Sequence, residues 1–519
     1  MGGGDKPKTD REASQQEALH LEVFTDYERI TPAQTDVTVL ATVTAAPLAS
    51  EERRAPITIC AAIDRSGSMK EHLPLLKETL KFMVHQLRAD DRLSLISFDH
   101  EVKVEFPLAN MDVAGKSHAE KAIDRMKDRG QTNLSGGLLA ALQEFYNVPS
   151  AEASLVESVL LFTDGKANIG ITDTPTIERA TRSMLGQIGR QTCVFTFGYG
   201  SEHDANMLRA IADAGSGLFY YINNVDCIPD SFCDCLGGLL SVSAQNIQLS
   251  FMAADDVMLY HPLTPYKVTT ASQNQQYHVT IPDIYCEEEK CILIKATVPK
   301  NIDIADVAQV NILSCHIQYF DVVECLPRQS VVAAFVIQDK ACTQPVLAAS
   351  NDQVQLQLLR VQAAETIDQA NEIAKEGNLN MARDLLNACI VRIDGSRVRL
   401  HPLAQHITQT MRDSISGLAN RMAYLQIGRA QMTNHSHSHW QQRSNTGSSS
   451  VEYHPKPAHP QPQQFLVPPS AAVAMGVLRN TTVAAGSNSS EAVGVTKTTS
   501  PYRISSKCAM MNRYTSSKH

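Results

Sequence analysis

The sequence predicts an α/β domain, a mostly parallel sheet with helices on both faces, inserted into a β-sandwich and followed by a helical hairpin. Three observations carry this. Apolar runs of strand length alternate with helically spaced apolar residues between Ile57 and Phe197. Period-two alternation rich in β-branched residues flanks that region, over 19–46 and 245–338. Farther on, apolar residues step by three and four from Leu359 to Ile393. At 519 residues the chain has room for about three domains, each with its own core.

The elements follow in order. Residues 57–63, Ile-Thr-Ile-Cys-Ala-Ala-Ile, form the nearly unbroken apolar run of a strand buried on both faces. Leu75, Leu76, Leu80, Met83, Val84 and Leu87 then fall on one helical face, and RLSLISF (92–98) returns to strand. A short strand at 102–106, helices near 116–127 and 134–146, a strand at 159–162, a helix near 174–186 and a strand at 192–197 continue the alternation. Ligands of such a sheet bind at the carboxyl ends of its strands. The two flanking β segments are read as one sandwich split by the insertion. Leu359, Ala363, Ile367, Ala370 and Ala374, then Ala382, Leu385, Cys389 and Ile393, make a helical hairpin broken at Glu376-Gly377-Asn378, with a third helix from about Leu403 to Leu425. The resulting division is 1–16 disordered, 17–50 first sandwich part, 55–224 α/β domain, 225–240 connecting helix, 241–340 second sandwich part, 350–430 helical hairpin or bundle, and 431–519 a disordered Ser/His/Pro-rich tail. Within that tail His435, His437 and His439 alternate, and are read as part of a polar tract without a structural frame.

Lys plus Arg (46) against Asp plus Glu (55) give a net charge of −9, and aromatics at 6% with one Trp offer no stacking platform, so nucleic-acid binding is not expected. The charge is uneven, because 432–519 holds eight basic and two acidic residues. No apolar stretch approaches membrane-spanning length, and MGGGDKPKTDREASQQE has no apolar signal core, so a cytoplasmic protein without a transmembrane segment is expected. Gly2 lacks the Ser or Thr at position six that myristoylation favours; Lys6 stands there. The twelve Cys include no C-x-x-C pair and read as reduced, mostly core residues, which removes a RING-type zinc module. Cys227, Cys233 and Cys235 read as helix-face core.

Asp64-Arg65-Ser66-Gly67-Ser68 follows the first buried strand, so its alternate side chains sit in the loop at that strand's carboxyl end. Asp64, Ser66 and Ser68 supply only oxygen, which suits Mg²⁺ or Mn²⁺ better than zinc. Two further loops, Gly130-Gln131-Thr132-Asn133 and Thr163-Asp164-Gly165, stand on the same face. Taken singly these residues would serve as helix caps and a turn. As a set of five across three loops they match one ligand scheme. Arg65, between two of them, reads as a solvated side chain. His72 and His203 lie near the same loops without a nucleophile signature, and Gly136 and Gly137 fall inside a helix and not in a phosphate-cradling loop, so no catalytic chemistry is indicated.

Asp64, Ser66, Ser68, Thr132 and Asp164, with the strings GQTNLSGGL and LLFTDGKAN, resemble the von Willebrand factor type A (VWA) domain and its metal-ion-dependent adhesion site over roughly 55–224. The resemblance implies a Rossmann-like fold. It also implies a cation held by Ser66, Ser68 and Thr132, with Asp64 and Asp164 acting directly or through water, and one position left for a partner's carboxylate. Two carboxylates only balance a dication, so the ion can still attract an acidic side chain. The wider arrangement is similar to inter-α-trypsin inhibitor heavy chains and to type A proteins that accompany intein-like or ubiquitin-ligase modules. The expected function is therefore a non-enzymatic, Mg²⁺- or Mn²⁺-dependent module that binds Asp or Glu of a protein partner. The alternatives are a substrate adaptor in ubiquitin transfer without its own RING, and an extracellular adhesion protein with Asn434, Asn480 and Asn488 as glycan acceptors.

Overall fold

The structure is a computed structural model that describes residues 17–33, 35–48, 53–300, 307–444 and 500–518. Its first strands are β1 (Leu19–Thr25), β2 (Tyr27–Ile30) and β3 (Asp36–Ala45). The α/β domain follows as β4 (Ile57–Asp64), α1 (Leu73–Gln86), β5 (Arg92–Phe98), β6 (Val102–Asn110), α2 (Val113–Arg125), α3 (Leu134–Tyr146), β7 (Val156–Thr163), α4 (Thr174–Ile188), β8 (Thr192–Tyr199), α5 (Ala205–Ala214), β9 (Ser216–Ile222) and α6 (Ile228–Leu239). Its sheet runs β6-β5-β4-β7-β8-β9, parallel except for edge strand β6. All eight residues of β4 are buried, because the strand is central and both its faces are covered. Ile59, Ala61 and Ile63 share one core with Leu76, Leu80 and Phe197, whereas Cys60 and Ala62 face Leu138, Leu142 and Phe145 of α3. Side-chain caps set the helix starts: Asp112 accepts from Gly115 N, Asn133 from Gly136 N, Asp173 from Thr176 N, and Asp204 from Asn206 and Met207 N. The sequence reading had no counterpart for α5 and β9, which complete the sheet.

Beyond α6 come β10 (Val242–Ala253), β11 (Met258–Leu259), β12 (Lys267–Ser272), β13 (Gln276–Tyr285), β14 (Glu289–Thr297), β15 (Val307–Asp321), β16 (Leu326–Asp339) and β17 (Val346–Leu347). One sheet is ordered β1-β3-β14-β11 and the other β12-β13-β10-β15-β16-β2-β17. Both sheets mix strands from before and after the insertion: β3 pairs antiparallel with β14, and β2 runs parallel to β16. Their inner faces share one core, with Val37, Val39 and Ala41 against Ile247, Leu249 and Phe251. The split sandwich is thus present.

The helical part comprises α7 (Asn351–Lys375), α8 (Leu379–Asp394), α9 (Pro402–Gly417), the single turn α10 (Arg421–Ala423) that continues as a π-turn, α11 (Arg429–Gln441) and α12 (Ser505–Ser517). Two expectations need correction. The third helix stops at Gly417, where the backbones of Gly417 and Gly428 touch so closely that a Cβ on Gly417 would lie 2.6 Å from Gly428 Cα. More substantially, the tail expected to be disordered from 431 is folded at both of its ends. Residues 429–441 form α11 and 505–517 form α12; the stretch 445–499 lies outside the described residues, as do residues 1–16. The polar composition of α11 misled because its side chains find partners inside the molecule. Tyr221 N and Phe219 N, on the open side of edge strand β9, donate to Asn434 Oδ1 (3.1 Å) and His437 Nδ1 (3.2 Å). His435 Nδ1 meets Ser414 Oγ at 3.1 Å, and His439 Nε2 meets Thr410 Oγ1 at 2.8 Å. Asn434, one of the glycan candidates, is only 3% exposed and is used up by this contact; Asn480 and Asn488 lie outside the described residues.

Buried ion pairs lock the returning segment. Arg443 reaches Asp283 Oδ1 (2.5 Å) and Glu288 Oε1 (2.7 Å) with its guanidinium 3.8 Å from the Tyr285 ring centre, and Lys507 Nζ reaches Asp234 Oδ2 of α6 at 2.8 Å. The twelve cysteines are free thiols and nine are buried, Cys227, Cys233 and Cys235 among them. No helix among the described residues is long and apolar enough to cross a membrane.

Candidate metal site

Three loops meet at the carboxyl end of the central sheet. The first leaves β4 at Asp64, whose fully buried carboxylate accepts Ser66 N at Oδ1 (2.8 Å) and the Thr163 hydroxyl at Oδ2 (2.6 Å). Ser66 Oγ and Ser68 Oγ lie 3.1 Å apart, and Ser68 Oγ donates to Asp164 Oδ1 at 2.7 Å. Gly165 brings in Thr132: a Cβ there would lie 3.1 Å from Thr132 Oγ1 and 3.8 Å from Ser68 Oγ, so glycine leaves room beside these hydroxyls that a side chain would crowd. The structure therefore gathers all five expected residues around one spot.

Backbone contacts hold the loops in register. Gly67 N donates to Gly130 O (3.2 Å), Arg129 N to Arg65 O (2.7 Å), Thr132 N to Asn168 Oδ1 (2.9 Å) and Asn168 N to Thr132 O (3.1 Å). Thr163 and Asn168 are supporting residues that the sequence reading missed. Their signal was their place in LLFTDGKAN beside Asp164.

The site is short of positive charge. Burial, with a smaller contribution from Asp164, pushes the Asp64 carboxyl up to about 6, and burial likewise raises Asp164. His72 Nε2 stands 3.9 Å from Asp164 Oδ2, beyond hydrogen-bond reach. Arg65 does not neutralise the site and is not solvated as expected. It is 8% exposed and turns away to Asp99 (2.9 Å) and Glu105 (3.8 Å). Two close, buried carboxylates, three hydroxyls and a gap kept open by glycine form a donor set that fits a hard divalent cation.

Asp99, His100 and Glu101 form another grouping, with ligand atoms within 4.8 Å of one another. Asp99 is held by Arg65, Arg129 and the Glu101 amide, and Glu101 by Arg129, so this cluster is an ion-pair lattice that braces the β5–β6 turn behind Arg65.

The fold and the oxygen-lined apex define a type A domain. The von Willebrand factor type A domain family matches residues 58–232, and the chain contains such a domain. Domains of this kind are generally protein-interaction modules, and they commonly hold a divalent cation at this position. A Synechocystis protein of uncharacterised function is 28% identical over 258 residues, 48% of this chain and 59% of that protein. The E3 ubiquitin-protein ligase WAV3 of Arabidopsis thaliana is 24% identical over 261 residues, 49% of this chain and 32% of WAV3. Human inter-alpha-trypsin inhibitor heavy chain H3 is 27% identical over 171 residues, 31% of this chain and 18% of the heavy chain. The matches thus span less than two thirds of the length of each of these relatives. A solved von Willebrand factor type A protein from Catenulispora acidiphila superposes with a TM-score of 0.57 at 17% identity, over 78% of this chain and 90% of that one, a likeness of fold.

Proposed function

We propose that the chain is a non-enzymatic protein-binding module in which Asp64, Ser66, Ser68, Thr132 and Asp164 hold Mg²⁺ or Mn²⁺, and the ion takes an Asp or Glu side chain of a partner. The convergence of these five side chains from three loops is the observation that carries the reading. When bound, the ion supplies an electrophilic contact for a carboxylate. The chain's own residues orient it: Thr163 and the Ser66 amide fix Asp64, Ser68 links to Asp164, and Asn168 positions Thr132. A cytoplasmic setting goes with the reduced, buried thiols.

The test is thermal unfolding and peptide-array binding in Mg²⁺, in Mn²⁺ and in EDTA. Saturation at 100 times Kd stabilises the folded chain by about 2.7 kcal/mol. Asp64→Ala abolishes both that gain and the binding of Asp- and Glu-containing peptides. Equal stability in Mg²⁺ and EDTA, or peptide binding that ignores Asp64→Ala, rules the mechanism out.

The match to WAV3 favours a second reading, a substrate adaptor in ubiquitin transfer. Co-purification with a ubiquitin-conjugating enzyme or ligase supports it, and ubiquitination of a bound client that is unchanged by removing this chain counts against it.

A further inference from the structure

Next to the candidate metal site lies a strip of polar atoms that packing alone does not explain. Thr163 of β7 pairs with Gly198 of β8, so the two residues that follow, Asp164 and Tyr199, emerge side by side at the carboxyl ends of adjacent strands. Tyr199 is 1% exposed and its hydroxyl has no partner among the described residues. His72, just before α1, lays its ring on the Tyr199 ring, with centres 5.3 Å apart and planes 20° apart. Its Nε2 faces Asp164 Oδ2 across 3.9 Å, and its Nδ1 is also buried without a partner. His72 does not spend its side chain on capping α1.

A phenol is a poor choice for this position if its only task is to fill the core. Phe162 and Phe197 already stack in the same cluster at 4.7 Å, and a phenylalanine at 199 would make the same ring contacts without burying an unsatisfied hydroxyl. Buried polar atoms that lack partners are retained where a ligand, a water or a moving side chain uses them. Here the other ring nitrogen of His72 faces the second oxygen of the expected ligand Asp164 from just out of reach, and the Tyr199 hydroxyl lies close enough to feel that carboxylate's charge. A gap of that size closes by a small rotation of His72 or through one bridging water.

We propose that His72 and Tyr199 are positioning residues of the cation site, forming a polar wall that holds the outer oxygen of Asp164 so that Ser68 keeps its lone pairs aimed at the ion. The proposal rests on the metal-binding reading above. Ring stacking sets the His72 orientation, and the Tyr199 hydroxyl serves the same carboxylate or the water beside it. Groups that orient metal ligands from behind typically govern affinity by 10- to 100-fold.

The test titrates the full chain with Mg²⁺ alone by calorimetry, for the wild type, His72→Phe, Tyr199→Phe, His72→Gln and Asp64→Ala, and records each thermal midpoint in EDTA. Both phenylalanine variants keep the stacked ring and lose only the polar atoms. Each is expected to bind Mg²⁺ at least 10-fold more weakly, with its midpoint in EDTA within about 2 °C of the wild type. His72→Gln, whose amide nitrogen reaches the place of Nε2, restores affinity to within about threefold. Phenylalanine variants that bind Mg²⁺ within twofold of the wild type, while Asp64→Ala does not bind, overturn this proposal and leave the metal site standing. Lost affinity that tracks a lowered midpoint in EDTA, without rescue by glutamine, reduces the pair to packing and also overturns it. A wild type that binds no Mg²⁺ removes both readings together.

Discussion

Replacing Arg443 with Met leaves Asp283 and Glu288 buried with one cation fewer between them. In the folded chain Arg443 donates to Glu288 Oε1 (2.7 Å) and Oε2 (2.9 Å) and to Asp283 Oδ1 (2.5 Å) and O (3.1 Å), while Lys290 gives Glu288 a second cation at 2.8 Å. With Lys290 protonated the set is balanced, two positive against two negative charges, all at least nine-tenths buried; burial, with Arg443 nearby, lowers the Lys290 ammonium to about 7 despite Glu288. Burial alone would raise the Glu288 carboxyl, but Arg443 and then Lys290 outweigh it and hold it down to about 2. Measured from its ordinary 4.5, that depression corresponds to roughly 3 kcal/mol at neutral pH. Breaking a buried pair by removing one partner costs about 3–5 kcal/mol. The broken pair sets the expected loss for Arg443→Met at about 3 kcal/mol or more, concentrated where α11 meets the sandwich. Trp440, the single tryptophan, lies three residues away with its Nε1 on Asp368 Oδ2 (2.9 Å), so its emission in urea titrations reports the docking of α11 directly. On the acid side the sign is fixed by the depressed carboxyl: Glu288's share of the wild type's advantage is complete above about pH 4.5, and it is lost as pH falls through about 2. A variant within 0.5 kcal/mol of the wild type at pH 7, or a gap that widens on acidification, refutes this account of what anchors the segment.

Three other substitutions probe separate links. Gly137→Ala puts a Cβ 2.2 Å from Phe98 Cδ1 between α3 and β5, so it should cost about 1–3 kcal/mol in urea unfolding. It should also weaken Mg²⁺ binding, because Phe98 O accepts Arg65 N in the first metal loop. Lys507→Met strands Asp234, which among the described residues then keeps the hydroxyls of Tyr220 (3.1 Å) and Ser444 (2.6 Å); limited proteolysis should cut within 505–517 much faster, and unchanged protection would contradict the pairing. Asn434→Leu removes the acceptor of Tyr221 N and should cost about 1–3 kcal/mol, with faster amide exchange at Tyr221 as the local check.

How far the sequence could be read depended on whether the deciding force leaves a pattern along the chain. Strand β4 was legible because burial on both faces demands an unbroken apolar run, and Asp64, Ser66 and Ser68 because alternate positions after such a strand share one direction. Thr132 and Asp164 depended on resemblance in addition, since a loop residue carries no period. Thr163 and Asn168 escaped for that reason, although they hold the site together. Helix α11 was read wrongly for a different reason. Composition treats Ser, His and Asn as solvent-seeking, yet buried polar groups are stable when paired, and in α11 the partners come from β9, α9 and α7. Arg360 of α7, donating to His439 O at 2.7 Å, is one such distant partner that no local pattern announces. Strand β9 was not read although its signals are present: Gly215-Ser216-Gly217 punctuates the chain after α5, and LFYYI is an apolar, β-prone run.

The way the inserted domain is attached has a mechanical consequence. The candidate metal loops sit at the carboxyl ends of β4 and β7, whereas the chain enters the domain before Ile57 and leaves it after Leu239, at the opposite pole of the sheet. A pull applied at the apex must travel the length of the parallel strands before it reaches two neighbouring tethers on the sandwich. The strands are then loaded lengthwise, so their hydrogen bonds resist in shear together and do not peel one at a time.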